Sequence, residues 1–237
     1  MKISLIIPAY NEEKYIADCL EYALKNSLGG FYEIIVVDNG SSDKTKEIAE
    51  TFPGVRVVRE KEKGITKARQ RGFIEAKSDI IAYIDADTRM PDGWVETILQ
   101  EFIKNQKLVC LSGPYIYYDI PKWQQFLVKV YWRVLAYPSY LLIGYMAIGG
   151  NFTIKKDTLE KMGGFNTSIE FYGEDTDIAR RAHRLGKVKF KPDFLMYTSG
   201  RRLSDQGVFK TAIIYIINFF SEAIIHKPIT KSYKDIR

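Results

Sequence analysis

Four short apolar runs in the first 84 residues restrict the fold of this chain more than any other feature. They occupy residues 3–7, 34–37, 55–58 and 80–84 and are nearly unbroken, as is typical of strands that are covered on both faces. Helical patterns at residues 12–25, 44–52 and 65–76 lie between them. Because strands that alternate with helices join through right-handed crossovers, the sequence predicts an α/β, Rossmann-like fold with a mostly parallel central sheet flanked by helices.

Beyond residue 91 the pattern is less regular. It predicts helices at 94–104 and 174–185, strands at 108–113, 152–154, 188–191 and 194–198, and a last helical segment at 208–225. A length of 237 residues suits one large domain. We therefore expect a domain over residues 1–200 and a basic, amphipathic, helical C-terminal extension over residues 201–237.

Positive charge is concentrated towards the C-terminus. The net charge is +6, and residues 180–237 hold 13 Lys or Arg against four Asp or Glu. This imbalance indicates an anionic partner such as phosphate, pyrophosphate or a lipid headgroup. Nucleic acid is not expected as a partner, because no nucleic-acid-binding motif accompanies the charge.

The cysteines and the first residues bear on the cellular compartment. Cys19 and Cys110 lie in apolar segments without metal or redox spacing, so we expect buried thiols in a reducing compartment. Met1 and Lys2 lead directly into the first apolar run, with no cleavage site after it. These features predict a cytoplasmic protein.

The Asp-Ala-Asp triplet at 85–87 is the strongest single indication of chemistry. It directly follows the apolar run 80–84, and ligands of such sheets bind beyond the carboxyl ends of the strands. The carboxylates of Asp85 and Asp87 are hard ligands suited to Mg²⁺ or Mn²⁺, with Ala86 between them beside the same ligand. The alternative is a solvated turn, because Asp is common where strands end.

Two further turns fall at the same predicted edge. The first carries Pro8, Tyr10, Asn11 and Glu12, which we interpret as donor-binding, with the aromatic ring able to stack on a base. The alternative for Asn11 is the cap of a helix that begins at Glu12. The second turn begins at Asp38, which is able to accept hydrogen bonds from a base or ribose, whereas residues 41–43 fit a helix cap.

Basic residues supply candidate contacts for a phosphate group. Lys67 and Arg69 lie near the start of the helix predicted after Gly64, although a solvated basic helix face is the alternative interpretation. Arg201 and Arg202 follow the predicted strand 194–198. Guanidinium groups suit a pyrophosphate because they bind it in a bidentate manner.

Five ordered motifs in residues 1–190 together resemble the family-2 glycosyltransferases of the GT-A fold. They are Pro-Ala-Tyr-Asn-Glu at 8–12, Val-Val-Asp-Asn-Gly-Ser-Ser-Asp at 36–43, Gly-x-x-x-Ala-Arg at 64–69, Asp-Ala-Asp at 85–87 and Gly-Glu-Asp at 173–175. The resemblance implies an inverting sugar transfer from a nucleoside-diphosphate sugar, with a nucleotide-sugar and metal half at 1–110 and an acceptor half at 111–200. It places Asp38 near the base, Asp85 near the ribose or donor, and Asp87 on the metal.

The same resemblance assigns the acceptor side. It gives the general base to Asp175, next to Glu174, and an acceptor-binding turn to Gly149, Gly150 and Asn151. An inverting transfer needs one carboxylate to take the proton of the acceptor hydroxyl, and the positive end of the helix predicted at 174–185 is expected to keep Asp175 ionised. The processive members carry Gln-x-x-Arg-Trp after the base, whereas residues 180–184 read Arg-Arg-Ala-His-Arg. We therefore expect addition of a single sugar.

Two aromatic segments, 134–148 and 208–225, bear on membrane contact. Neither has the roughly 20 uninterrupted apolar residues of a spanning helix. With Lys122, Lys129, Arg133, Lys227 and Lys231 nearby, they suit amphipathic helices on a cytoplasmic membrane surface and a polyprenyl-linked acceptor. A core-facing helix or a subunit contact is the alternative.

Two other functions remain open from the sequence. One is a catalytically silent sugar-nucleotide-binding or membrane-scaffold protein, which the presence of both Asp87 and Asp175 disfavours. The other is a nucleotidyltransferase, which normally has a Gly-rich basic loop after its first strand that residues 8–12 lack. The identity of the sugar, the nucleotide and the acceptor depends on side chains that converge only in the folded chain.

Overall fold

The computed structural model describes residues 1–169 and 173–207, together with residues 214, 217 and 221. Its strands are β1 (Ile3–Ala9), β2 (Glu33–Asp38), β3 (Val55–Arg59), β4 (Ile80–Ile84), β5 (Thr88–Arg89), β6 (Leu108–Ser112), β7 (Tyr115–Tyr117), β8 (Asn151–Lys155), β9 (Lys187–Phe190) and β10 (Met196–Thr198). Its α-helices are α1 (Ile16–Ser27), α2 (Thr45–Glu50), α3 (Ile65–Glu75), α4 (Trp94–Lys104), α5 (Lys122–Tyr131), α6 (Tyr137–Ile143), α7 (Lys156–Lys161), α8 (Glu174–His183) and α9 (Arg201–Gln206). A π-helical turn, Trp132–Ala136, joins α5 to α6.

The central sheet has seven strands in the order β3-β2-β1-β4-β8-β6-β9. The first four strands of the chain are mutually parallel, and β9 is parallel to β6. Only β8, among these seven strands, runs antiparallel to its neighbours β4 and β6. The predicted α/β fold with a mostly parallel sheet is therefore confirmed.

A smaller sheet of three strands, in the order β5-β10-β7, lies beyond the carboxyl end of β4. It forms because the chain turns back directly after Asp87 into the short strand β5. Residues of the second half of the domain, in β7 and β10, are thereby brought beside the Asp-Ala-Asp triplet.

Two apolar cores cover the two faces of the central sheet. On one face, α1 and α4 pack on alternate residues of β1, and Leu5, Leu20 and Ile98 belong to this core. On the other face, α3 and α8 pack on the remaining residues, and Ala68 and Ile178 belong to this core. Burial on both faces explains why the strand sequences are apolar at nearly every position.

The bounds of several elements match the sequence predictions closely. Helix α4 and strand β4 have the predicted ends, and α3 ends one residue early. The first helix is a correction, because α1 begins at Ile16 and not at Glu12. Residues 13–15 form a turn in which the N–H groups of Tyr15 and Ile16 both donate to the Glu12 carbonyl, so the periodic pattern at 12–25 overstated the helix by its first turn.

The described chain contains no helix that is both long and apolar enough to cross a bilayer. The predicted segment 134–148 contains the π-helical turn and α6, which ends at Gly144 with a φ of 85°. The predicted helix at 208–225 falls outside the described residues, apart from 214, 217 and 221. The division of the domain at residue 110 stays a prediction.

Candidate functional site

The carboxyl ends of β1, β2 and β4 meet at one edge of the central sheet, as the parallel pairing requires. Asp38 ends β2, is buried, and accepts a hydrogen bond from the Ser41 N–H at 3.0 Å. Asp85 follows β4, and its side chain is more exposed than that of Asp87. The edge therefore offers polar groups from three strands to one ligand.

The turn after β1 is tied to the turn after β2. The Asn11 N–H donates to Ser41 Oγ at 3.0 Å, and Asn11 Oδ1 accepts from the Ser42 N–H at 2.8 Å. Asn11 thus joins two loops and does not cap α1, which corrects the alternative considered above. The Tyr10 hydroxyl accepts a hydrogen bond from Lys63 Nζ at 2.9 Å, and this ammonium lies over the Tyr10 ring.

The side chains of three predicted donor residues are engaged within the protein itself. Pro8 is buried inside β1, two residues before the turn. The Ala86 side chain is buried in the core on the α1 face. Lys67 forms an ion pair with Glu62 at 2.9 Å, because it points about 200° around α3 from Arg69. The sequence placed these three residues at the site by proximity along the chain alone.

Arg69 is the central cation of the site. Its side chain is almost inaccessible, yet its Nη2 donates to Asp85 Oδ1 at 3.1 Å and its Nη1 donates to Glu174 Oε1. Asp85 Oδ2 also accepts a hydrogen bond from the Tyr115 hydroxyl at 3.1 Å. One guanidinium therefore links the end of β4 with the start of α8.

The carboxylates at the start of α8 are protonated more readily than usual. Burial raises the pKa of Glu174 to about 8, with Arg69 opposing the shift. Burial also raises the pKa of Asp175, although Asp175 accepts hydrogen bonds from the Thr176 N–H at 2.8 Å and the Gly149 N–H at 3.3 Å. The direction of this shift shows that loss of hydration outweighs the stabilisation that these N–H groups and the helix end give to the Asp175 carboxylate.

Asp87 is held by a second guanidinium. Its Oδ2 lies 3.1 Å from Arg201 Nη2, and its Oδ1 accepts from Thr198 Oγ1 at 3.3 Å. Arg201 also makes two hydrogen bonds with the buried Glu12, at 2.6 and 2.8 Å. Burial raises the pKa of Asp87 to about 7, with the charges of Glu12 and Asp85 adding to the shift and that of Arg201 opposing it. Arg202, its neighbour, lies close to Tyr117.

The predicted acceptor turn serves a structural role. A side chain on Gly149 would meet Arg69 and Glu174 at 2.8 Å, and a Cβ on Gly150 would meet Asp85 Oδ2 at 2.3 Å. These glycines make room for the protein's own charged groups. Asn151 is fully buried in β8, where it accepts from Trp94 Nε1 at 3.0 Å and donates to the Phe194 carbonyl at 2.8 Å. The prediction that Asn151 contacts an acceptor is therefore wrong.

Several site residues were not identified from the sequence. Tyr115 contacts Asp85, and the Tyr118 hydroxyl donates to the Asp87 carbonyl at 3.3 Å. Asp119 accepts hydrogen bonds from Ser199 Oγ and the Gly200 N–H, which fixes the turn that leads to Arg201. The dense run of Tyr between 115 and 118 was the available signal in the sequence.

Asp85 and Asp87 are the candidate ligands of a divalent cation. Within residues 1–169 and 173–207, no group of three or more His, Cys, Asp or Glu side chains is placed to hold a metal ion. Asp85 and Asp87 nonetheless supply hard oxygen atoms, and mutual repulsion within the carboxylate cluster favours a cation. Because Mg²⁺ commonly binds one or two carboxylates together with substrate phosphates and water, the pair fits such an ion as part of a phosphate complex.

Comparison with known sequences gives a consistent result. The sequence profile described as glycosyl transferase family 2 matches residues 4–163. A dolichol-phosphate mannosyltransferase of Pyrococcus furiosus is 30% identical over 176 residues, which are 68% of this chain and 48% of that protein. The probable glycosyltransferase YdaM of Bacillus subtilis is 28% identical over 218 residues, which are 81% and 49% of the two chains. The chain spans about half the length of these relatives.

Solved structures share the fold. The mannosyltransferase PcManGT from Pyrobaculum calidifontis, in complex with GDP-Man and Mn²⁺, superposes with a TM-score of 0.70 at 20% identity, over 95% of this chain and 63% of that one. S. aureus TarS 1-349 in complex with UDP-GlcNAc gives a TM-score of 0.69 at 18% identity, over 98% and 68%. At such low identity these likenesses establish the architecture.

Proposed function

Because this chain belongs to glycosyl transferase family 2, we propose that it transfers a single sugar from a nucleoside-diphosphate sugar to a hydroxyl acceptor, with inversion and with the help of a divalent metal. The observation that carries the proposal is the position of Arg69. This buried guanidinium binds Asp85 beside the open end of β4 and Glu174 beside Asp175. One cation therefore links the proposed donor and metal side, at Asp85, with the residue next to the proposed base, at Glu174.

The donor side of the proposal is formed by the edge of β1, β2 and β4. Asp38 accepts hydrogen bonds from the nucleobase or ribose, the Tyr10 ring stacks on the base, and Asp85 orients the ribose or the transferred sugar. Arg201 contacts the diphosphate, for which its planar guanidinium has suitable geometry. Two solved structures of the same fold, PcManGT and TarS, contain GDP-Man and UDP-GlcNAc, which supports a nucleotide sugar as the donor.

Asp87, assisted by Asp85, is the proposed ligand of Mg²⁺ or Mn²⁺. When bound, such an ion neutralises negative charge on the departing nucleoside diphosphate. Arg201 occupies one oxygen of Asp87 at 3.1 Å. We therefore propose that Arg201 leaves Asp87 and binds the diphosphate when donor and metal bind together. The metal would then balance the charge of Asp87, and Arg201 would balance the charge of the diphosphate.

Asp175 is the proposed general base. It takes the proton from the acceptor hydroxyl as that oxygen attacks the anomeric carbon from the side opposite the diphosphate. The backbone N–H groups of Gly149 and Thr176 hold its two oxygens in place. Glu174 lies between Arg69 and the base, and its role is to position Arg69 rather than to touch the substrate.

The acceptor is a sugar hydroxyl, either free or on a polyprenyl-linked carrier, and the proposal includes peripheral contact with the cytoplasmic face of a membrane for the second case. The Pyrococcus furiosus relative is named for transfer to dolichol phosphate, which supports a lipid-linked acceptor. Two buried free cysteines are compatible with the reducing cytoplasm.

The test is a thermal-shift titration with a panel of UDP-, GDP- and dTDP-sugars, with and without Mn²⁺. A donor that binds the folded state raises the melting temperature, and the rise grows with the logarithm of the donor's excess over its dissociation constant. We expect a metal-dependent shift for one nucleotide, lost in Asp87→Ala and retained in Asp175→Asn. The second variant is expected to lose about 10²–10⁴-fold of transfer, because it keeps the donor site and lacks the base.

Each outcome of this titration is informative. A shift that Asp87→Ala retains would remove the metal assignment. The absence of a shift with every donor, for a folded sample supplied with Mn²⁺, would contradict sugar transfer and favour a silent binding or scaffold protein.

A further inference from the structure

We propose that the outward face of α5, the π-helical turn and α6 docks on the surface of an anionic membrane. This surface, called here the α5–α6 apolar face, consists of large apolar side chains that all lie exposed on one side of the helical segment. They are Trp123, Phe126, Leu127, Val130, Val134, Leu135, Leu141 and Leu142.

The segment is apolar on its outward side as well as on the inner side that packs on Met146 and Phe190. Phe126 is 65% exposed, Val134 68% and Leu142 88%, and α5 has no buried residue at all. Its side chains turned towards the protein include the partly buried Gln124 and Gln125. Since contiguous exposed apolar surface of this kind marks a site of interaction, the face is fitted to a partner that excludes water.

The charge around the face selects the partner. Lys122, Lys129 and Arg133 follow one another at helical spacing, along a row directly beside Phe126 and Val130. Residues 120–148 contain no Asp or Glu. An apolar face bordered by cations and free of acidic groups is the pattern of a helix that lies in the headgroup region of an anionic bilayer.

A second copy of the chain fits this face less well. A two-fold dimer would place the same patch on both sides of the contact. The row of Lys122, Lys129 and Arg133 would then face its own copy, with no carboxylate from the segment to neutralise it. Like charges brought together in this way oppose association, whereas anionic lipid headgroups are attracted to the row.

The face is connected to the candidate site by direct hydrogen bonds. Trp132 Nε1, in the turn between the two helices, donates to the Tyr115 carbonyl at 3.0 Å. The Tyr115 hydroxyl donates in turn to Asp85. Tyr131, in the same helical segment, lies close to Asp175. Burial raises the pKa of Tyr131 to about 12, and the charge of Asp175 adds to this shift. Docking would therefore bring the acceptor side of the site to the lipid surface.

The docking inference gives the acceptor a chemical class, namely a hydroxyl carried by a lipid, and in that respect it rests on the proposed function. The membrane contact itself does not require catalysis. The two ideas are therefore tested by different measurements on the same protein.

The experiment is co-sedimentation of the full chain with phosphatidylcholine vesicles that contain phosphatidylglycerol, compared with vesicles of pure phosphatidylcholine. We expect binding to the mixed vesicles, weakened by salt. Phe126→Ser is expected to lower the affinity about tenfold, because it removes a large apolar group from the contact. Lys129→Glu is expected to lower it at least about fivefold, and only for the anionic vesicles.

Matched control variants come from other helices and strands. Ile74→Ser on α3 and Ile103→Ser on α4 remove side chains that are 64% and 63% exposed, and Lys187→Glu on β9 makes the same charge change as Lys129→Glu. These variants should bind vesicles as the wild type does. Circular dichroism melting establishes that each variant is folded.

Three results would overturn the docking inference. The first is failure of the wild type to bind anionic vesicles. The second is equal vesicle binding by Phe126→Ser and Ile103→Ser. The third is a dimer that Phe126→Ser converts to a monomer in light scattering. A donor-induced thermal shift that persists in any of these cases would leave the proposed sugar transfer standing. If the wild type binds vesicles but shows no donor-induced shift, the docking inference stands and the proposed sugar transfer does not.

Discussion

Replacement of Arg201 by alanine should make the protein bind Mn²⁺ more tightly and its donor more weakly. In the structure Arg201 acts as the counter-ion of Asp87, at 3.1 Å, while its main partner is Glu12. A metal ion on Asp87 has to displace this one contact. The donor diphosphate, in contrast, is proposed to use the guanidinium that the variant lacks.

The size of the effect follows from the contact that is broken. A hydrogen bond between charged groups contributes about 1.5–3 kcal/mol. Because Arg201 keeps Glu12 when it leaves Asp87, and because solvent reaches part of its side chain, the lower figure of about 1.5 kcal/mol applies. We therefore expect Arg201→Ala to raise the affinity for Mn²⁺ alone about tenfold, and to weaken donor binding by a similar factor.

Mn²⁺ binding is measured directly from the electron paramagnetic resonance signal of the free ion, without nucleotide. The titration is run at about pH 8.5, because protons compete with the metal near the Asp87 pKa of about 7. Loss of Arg201 raises that pKa further, since its charge favours the ionised carboxyl. A titration at neutral pH would therefore understate the gain in affinity.

Arg56→Ala is the matched control for this experiment. Arg56 bridges Glu33 and Glu75 at 3.3 and 2.6 Å on the β3 side of the sheet, so the variant removes the same charge from a similar pair of carboxylates far from Asp87. It should leave Mn²⁺ binding unchanged. If Arg201→Ala binds Mn²⁺ no better than Arg56→Ala does, the metal and Arg201 do not compete for Asp87 and the exchange is refuted.

Two further predictions concern stability. Asn151→Ala should lower the free energy of unfolding by about 3 kcal/mol, because the Trp94 N–H and the Phe194 carbonyl lose their buried partner. Urea denaturation measures this loss of stability. A variant with unchanged stability and a raised KM for the acceptor would restore the acceptor role of Asn151. Glu174→Gln should flatten the dependence of stability on pH. The folded wild type holds a proton on Glu174 up to a pKa of about 8, whereas the unfolded chain releases it near 4.5, so wild-type stability falls as pH rises across that interval. An equal slope in the variant would show that Glu174 is not the group that titrates.

Local sequence patterns predicted the strands, the helices between them and the edge of the sheet at which the polar turns lie. The unbroken run at 80–84 could only be a doubly covered strand, and the Asp residues after it had to lie at the carboxyl edge. The motif resemblance placed the carboxylates of Asp85, Asp87 and Asp175 correctly in one region of the fold. Local patterns did not predict the surroundings of residues near a motif, since the side chains of Pro8 and Ala86 are buried and Lys67 pairs with Glu62.

The remaining errors come from contacts between distant segments. Asn151 is polar and follows two glycines, which is equally typical of a ligand turn, and only its contact with Trp94, 57 residues away, reveals a buried structural amide. Gly149 and Gly150 were correctly seen as places of close approach. The groups that approach them, Arg69 and Asp85, belong to other elements, and no periodicity or spacing in the sequence encodes that pairing.

The bond between Glu12 and Arg201 has a consequence for how the protein can be shortened. The two residues are 189 positions apart, and a boundary at residue 200 falls just before the second of them. A fragment that ends there would keep all seven strands of the central sheet and lose the Arg201 guanidinium, which makes two hydrogen bonds with the Glu12 carboxylate. The smallest useful fragment for crystallography or screening should therefore extend through α9, although α9 adds nothing to either sheet.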